Sequence, residues 1–399
     1  MSMLVKSFLP KVILGLALFF ISIPAHASAM ETAVWVPWFG PDNGAQGAQN
    51  AIDNIDKIDI VYLFVYEANS DGTLNNRVDF NDDQWKELIK VAKENDVKVI
   101  PTIAWFDGDA IDTVLSNRSK RRKHISTIVK MVNDNDFDGV NIDYEQKKKE
   151  TKDDFSTFLK DLNGKLKSDS LTCALEARTP ADSLYRDVPK NIEYSNDYKA
   201  INKYCDWVEI MGYDQQRADI KLNDKRKGVP YEPVADVEWV EKVVKLATKD
   251  IAKEKILLGV PTYGRAWDIT VAPEWYKDYT RVASLNQPRI LELSKIYNSP
   301  IGRTAGGEAV ISYFPEDSVY KIFNALPTPP GTPKGFEAAA KALQVATSAN
   351  IEIPVRFVTW SDAKAIEDKL NLIEKYGLKG VAVFKVDGEE DPKLWSVLD

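Results

Sequence analysis

The sequence predicts an α/β protein, a (β/α)8 barrel carrying an insertion between its seventh and eighth strands. Three observations predict it: eight short runs of β-forming residues, helix-like segments between most of them, and one long interval in which that alternation breaks down. Alternation alone leaves a doubly wound open sheet as the other reading.

The β-rich runs are Val34–Phe39, Ile60–Tyr66, Val97–Trp105, Gly139–Glu145, Leu171–Ala177, Trp207–Tyr213, Ile256–Pro261 and Gly380–Val386. Helical patterning fills Asp82–Asn95, Lys120–Asn135, Asp153–Lys167, Val237–Asp250 and Asp362–Tyr376. Asp153 and Asp154 put negative charge at a helix start, and Asn95, Gly377 and the Asp-rich turn after Val132 are stop signals. Between Trp267 and Trp360 the rhythm is lost, and the chain carries the turn-rich NSPIGRTAGGEA and the proline-rich segment Leu326–Gly335. So long an interval without structure of its own is uncommon in a compact domain, so 268–355 is expected to form a subdomain, with Ile311–Phe314 and Val355–Trp360 as strands.

The first residues read as an export signal. Lys6 and Lys11 precede an apolar run, Val12–Ile23, and Ala25, His26 and Ala27 supply a small-x-small cleavage pattern, with Ala29 an alternative end. The run is shorter than the ~20 residues a spanning helix needs, and an uncleaved anchor is the competing reading. The expected layout is a signal peptide over 1–27 and a barrel domain over 31–399, secreted or periplasmic, acting as a monomer off the membrane.

Composition narrows the chemistry. The chain has 399 residues, 44% hydrophobic and 28% charged, with a formal net charge of -8. Removing Lys6 and Lys11 leaves 50 of 52 basic residues against 60 acidic ones, or -10, which disfavours a nucleic-acid partner. The basic run Ser119–His124 (SKRRKH) is expected to be a solvated helix face. After signal removal only His124 remains, which excludes Ser-His-Asp, Cys-His and histidine-ligated metal mechanisms, and no metal or cofactor is expected. Cys173 and Cys205 leave two readings open, a disulfide or two buried thiols.

The chemistry then rests on carboxylates, and Phe137–Glu145 (FDGVNIDYE) concentrates them. Strand side chains alternate, so Asn141, Asp143 and Glu145 share one face and Val140, Ile142 and Tyr144 the other, while Asp138 has the opposite parity to Asp143. Ionised carboxylates on an inward face are costly without partners, so adjacent acids there shift their pKa values or share hydrogen bonds. Acid catalysis needs both.

This D-G-x-N-x-D-x-E pattern resembles the active-site signature of glycoside hydrolase family 18, the chitinase-like enzymes, with Asn141 where aspartate is usual. Trp207–Gln216 (WVEIMGYDQQ) is similar to the family's M-x-Y-D motif on the sixth strand, and Leu258–Trp267 (LGVPTYGRAW) to its seventh-strand G-[IV]-P-x-Y-G-R stretch. The resemblance implies a barrel whose α+β insertion walls one side of a substrate groove. It further implies substrate-assisted cleavage with retention, in which the substrate's own acetamido oxygen attacks the anomeric carbon. In that scheme Glu145 is general acid and then base, Asp143 orients the acetamido group with Asn141 as a hydrogen-bonding support beneath it, and Tyr213 and Asp214 contact the same sugar. Met211, Trp105, Tyr263, Arg265 and Phe384 would bind substrate. Trp35, Trp38 and Tyr66 occupy similar positions, with core packing as the alternative, and Glu176 and Arg178 either reach the site or pair with each other.

One position departs from the family: Phe384 stands where a tryptophan usually floors the reacting sugar's subsite, implying weaker sugar binding or an altered substrate. The function expected is a secreted hydrolase of β-1,4 bonds in N-acetylglucosamine polymers, chitin or chitooligosaccharides. The alternatives are a peptidoglycan N-acetylglucosaminidase and a non-catalytic sugar-binding lectin.

Overall fold

The computed structural model describes residues 30–399, so the expected leader over 1–27 lies outside the described residues. Eight strands form the barrel: β1 (Glu31–Pro37), β2 (Ile60–Ala68), β3 (Lys98–Trp105), β4 (Gly139–Tyr144), β5 (Ser170–Leu175), β6 (Trp207–Met211), β7 (Ile256–Pro261) and β8 (Gly380–Phe384). Each pairs in parallel with its neighbours, and β8 closes the ring on β1 with Glu31 opposite Gly380 and Val34 opposite Val383. Close approach at the lower rim requires glycine twice. A Cβ on Gly380 would lie 1.9 Å from the Glu31 carbonyl oxygen, and one on Gly139, at φ 153°, 2.1 Å from that of Ser170.

Period-two alternation sorts the barrel's faces. Val140, Ile142 and Tyr144 pack outward into the main core against the helices, together with Val99, Ile103, Phe155 and Phe158. The inner face carries Trp35, Tyr62, Ile100, Trp207 and Leu257 around a polar ladder of Thr102, Asn141, Thr172 and Glu209. The expected helices appear as Asp83–Glu94, Arg118–Asn135, Lys152–Leu166, Val237–Ala247 and Ala363–Tyr376. Asn117, Asp236 and Asp362 cap three of them through side-chain oxygens, and Asp136 and Gly377 end two in the left-handed conformation.

The basic run is not wholly solvated. Arg121 and His124 face inward from the helix Arg118–Asn135, with Arg121 bonded to the Leu115 carbonyl oxygen and 3.3 Å from Asp154. The Gly72 carbonyl, 2.6 Å from Nδ1 of His124, must receive that nitrogen's proton, so Nε2 accepts from the Tyr144 hydroxyl at 2.5 Å. Burial pushes the imidazole down to about 4, so it is a neutral support for the outer side of β4. Cys173 on β5 and Cys205 ahead of β6 form a disulfide, with Cα atoms 6.3 Å apart.

The insertion is built on a five-stranded antiparallel sheet, centred on Tyr263–Ala272 and Ile353–Trp360, with the helix Glu337–Ala349 packed against it. The expected strands within it appear as Ala309–Tyr313 and Ile353–Trp360. The sheet runs from Tyr263 to Trp360, wider than 268–355, because the chain leaves β7 at Pro261. Thr262 makes the last backbone hydrogen bond to β8, its amide donating to the Phe384 carbonyl at 3.0 Å, and the next residue already belongs to the insertion. Tyr263 and Arg265 therefore stand on the insertion and not on the seventh barrel strand.

Candidate active site

The C-terminal ends of the barrel strands open into a cleft of about 400 Å³, floored by Trp35, Phe64 and Phe384 and lined by Asp143, Glu145, Glu176, Met211, Tyr213 and Asp214. Asp143 is the last inward residue of β4, and Glu145 follows just past the strand, its amide still donating to the Trp105 carbonyl at 2.9 Å. Asp143 is 5% exposed, and its Oδ1 finds no hydrogen-bond partner among the described residues. Burial, and then the neighbouring Glu145, push its carboxyl well above the usual aspartate range. Burial and then Glu176 raise Glu145 to about 7, with Asp214 adding to the rise and Lys147 opposing it. The pair thus retains a proton near neutrality and presents it to the cleft, which a general acid must do.

Asn141 does not sit as a support under Asp143. Its Nδ2 donates to Thr172 Oγ1 and to Glu209 Oε2, both at 2.7 Å, and its Oδ1 accepts from Thr102 Oγ1 at 3.0 Å. Both amide protons are therefore spent sideways across the barrel. Their target, Glu209, is fully enclosed, also bonded to the Tyr62 hydroxyl, and raised by burial to about 8. A carboxyl within the apolar WVEIM run was a signal in the sequence, with the same parity as Met211.

Tyr213 lies just beyond β6, its ring stacked on Phe384 at 5.6 Å between centroids and 21° between planes. Asp214 follows in the left-handed conformation at φ 56°, and Arg265 donates to its Oδ1 from Nη2 at 2.7 Å and Nε at 3.2 Å. The same guanidinium lies over the Tyr263 ring at 4.6 Å, so Arg265 ties the barrel's rim to the insertion. Tyr263 and Arg265 line a neighbouring cavity of about 480 Å³ that meets the cleft at Phe384. Phe384 itself is packed edge-on by Trp35 at 5.8 Å and by Phe64 at 5.9 Å.

Trp105 is placed elsewhere than expected. Parity on β3 sends Ile100, Thr102 and Ala104 inward and Val99, Ile103 and Trp105 outward, and the Trp105 ring packs at 5.2 Å from Tyr144 and 5.4 Å from His124. Phe106, one residue on and 46% exposed, lines the cleft instead. A register shift between Phe64 and Tyr66 likewise turns Tyr66 into the outer core. Trp38 carries Arg77 over its ring at 4.3 Å, and Trp35 is the aromatic of β1 that reaches the cleft.

Glu176 and Arg178 do not pair with each other. Glu176 accepts the Gln146 amide at 2.9 Å, clamping the left-handed turn directly after Glu145, and lies 3.9 Å from the buried Nζ of Lys147. Arg178 donates to the Asn196 carbonyl at 2.9 Å.

Comparison with known proteins places this geometry. The family model described as glycosyl hydrolases family 18 matches residues 35–389. The uncharacterized glycosylase YvbX of Bacillus subtilis (strain 168) is 27% identical over 296 residues, covering 73% of this chain and 70% of that protein. Two crystal structures share the fold. The Bacillus cereus spore cortex-lytic enzyme SleL has TM-score 0.66 and 20% identity over 92% of this chain and 73% of that one. The chitinase from Chromobacterium violaceum ATCC 12472 has TM-score 0.67 and 19% identity over 93% and 98%. The match over the barrel and its acidic fourth strand establishes that this chain belongs to glycosyl hydrolase family 18.

Proposed function

We propose that this glycosyl hydrolase cleaves β-1,4 bonds of N-acetylglucosamine-containing glycans with retention, using the substrate's acetamido oxygen as nucleophile. Glu145 protonates the leaving oxygen and then activates water. Asp143 receives the acetamido N–H on its unpartnered Oδ1 and stabilises the positive charge that develops on that nitrogen. Tyr213 holds the acetamido group from the opposite wall, with Asp214 against the same sugar and Phe384 as the stacking floor. The observation that carries the reading is the adjacent pair Asp143 and Glu145 in an enclosed cleft, with Glu145 raised to about 7 and a buried acceptor left open beside it. A lectin would have no need of a proton donor poised there.

Proton NMR of the first products from a chitooligosaccharide tests the route: the β anomer is expected, and initial release of the α anomer overturns it. A second reading, peptidoglycan as the glycan, is supported by the likeness to a spore cortex-lytic enzyme and by the smaller Phe384 ring, which leaves more room at the floor. Export through the leader over 1–27 fits either substrate.

A further inference from the structure

A side pocket of about 210 Å³ adjoins the cleft and shares with it the walls Glu176, Ala177, Ala218 and Trp239. Arg178 projects into it, held with Cζ 3.8 Å from the Tyr194 ring centroid and 4.2 Å from that of Tyr198. Its Nη2 bonds the Asn196 carbonyl, and among the described residues no carboxylate lies within ion-pair distance of the guanidinium. Glu176, two residues before Arg178 in the same wall, is engaged by the Gln146 amide and Lys147. Asn196 is 6% exposed; its Nδ2 donates to Glu176 at 3.5 Å, while its Oδ1 is buried in this wall with no donor among the described residues.

The pocket therefore offers a fixed cation with unused N–H groups and, beside it, a buried carbonyl oxygen lacking a proton. A guanidinium with free N–H groups is suited to a carboxylate, and an orphaned amide oxygen to an amide N–H. We propose that this pocket binds an acidic, amide-bearing arm projecting from a sugar ring next to the cleaved bond, the chemistry of the peptidyl-lactyl substituent of N-acetylmuramic acid. Leu184, 39% exposed at the pocket's edge, offers apolar contact to the arm's methyl groups. The acetamido group of an unsubstituted N-acetylglucosamine ring supplies an N–H for Asn196 but no charge for Arg178. The inference rests on the glycosidase reading and deepens it, naming peptidoglycan strands as the substrate class.

The test compares Arg178→Met, which keeps an apolar stem between the two tyrosine rings, and Arg178→Lys, which keeps the charge. Both are assayed on a chitooligosaccharide and on soluble glycan strands bearing stem peptides. Arg178→Met is expected to lose about ten-fold or more in kcat/KM on the peptide-bearing strands, the scale of a lost charge-assisted hydrogen bond, with Arg178→Lys recovering part of it and chitooligosaccharide turnover unchanged. Equal loss on both substrates, or no loss on the strands, overturns the proposal. Calorimetric binding of a disaccharide-peptide to Glu145→Gln protein, with and without Arg178→Met, tests the pocket independently of turnover: an unchanged Kd overturns it. Absence of any Glu145-dependent hydrolysis would instead remove the glycosidase reading, so the two failures are distinct.

Discussion

The protonation of Glu145 can be moved without touching it. Glu176 is the largest electrostatic cause, after burial, of the rise of Glu145 to about 7. Glu176→Gln keeps an oxygen that can accept the Gln146 amide at 2.9 Å, so the turn after Glu145 retains its clamp while the negative charge is removed. With a pKa of about 7 the acid is protonated in roughly one molecule of eleven at pH 8, and kcat/KM there should be about a tenth of its acidic plateau. Loss of this like charge lowers the pKa, so the protonated fraction at pH 8 falls below that tenth. The assay is a pH profile of kcat/KM on a fluorogenic chitooligosaccharide. The alkaline limb should move to lower pH while the rate at pH 5.5 changes little. An alkaline limb that stays in place, or one that moves to higher pH, would refute the assignment of Glu176 as the charge that keeps Glu145 protonated.

Three further outcomes follow from burial and parity. Trp105→Ala should cost about 3–5 kcal/mol of stability, seen as a lowered Tm, because the ring fills the outer core. Phe106→Ala should leave Tm nearly unchanged and raise KM; the reverse pattern would contradict the placement of both rings. Glu209 has its carboxyl raised from 4.5 to about 8, so the stability contributed by its protonated form is fully present below about 4.5 and lost as pH rises through about 8. Glu209→Gln should therefore flatten the fall in Tm between pH 5 and pH 8, by an amount worth on the order of a few kcal/mol, and an unaltered slope would count against an enclosed neutral carboxyl.

The parts of the molecule that were legible are those fixed by local pattern. Eight β-rich runs and their helices define the barrel, and alternation along FDGVNIDYE places Asp143 and Glu145 on the inner side. Pattern and structure part where one residue of register decides the face. Trp105 lies at the end of its strand but on the outer parity, and a bulge after Phe64 reverses Tyr66. The motif suggests that Asn141 supports Asp143 on its own strand, whereas in this barrel its amide bonds across to other strands, at Thr172 and Glu209. His124 belonged by composition to a charged run, yet the helix turns it onto Tyr144. The insertion begins before 268 because the resemblance carries the seventh-strand stretch on through Tyr263 and Arg265, whereas pairing with β8 ends at Thr262 and Tyr263 already starts the antiparallel sheet.

The most direct test of the account is Glu145→Gln, assayed for turnover and binding on the same N-acetylglucosamine oligomer. The substitution keeps the side chain's shape and removes only the transferable proton, so hydrolysis should fall to background while calorimetric binding stays within a few-fold of the unaltered protein. Retained turnover would contradict Glu145 as the acid and, with it, the proposed mechanism.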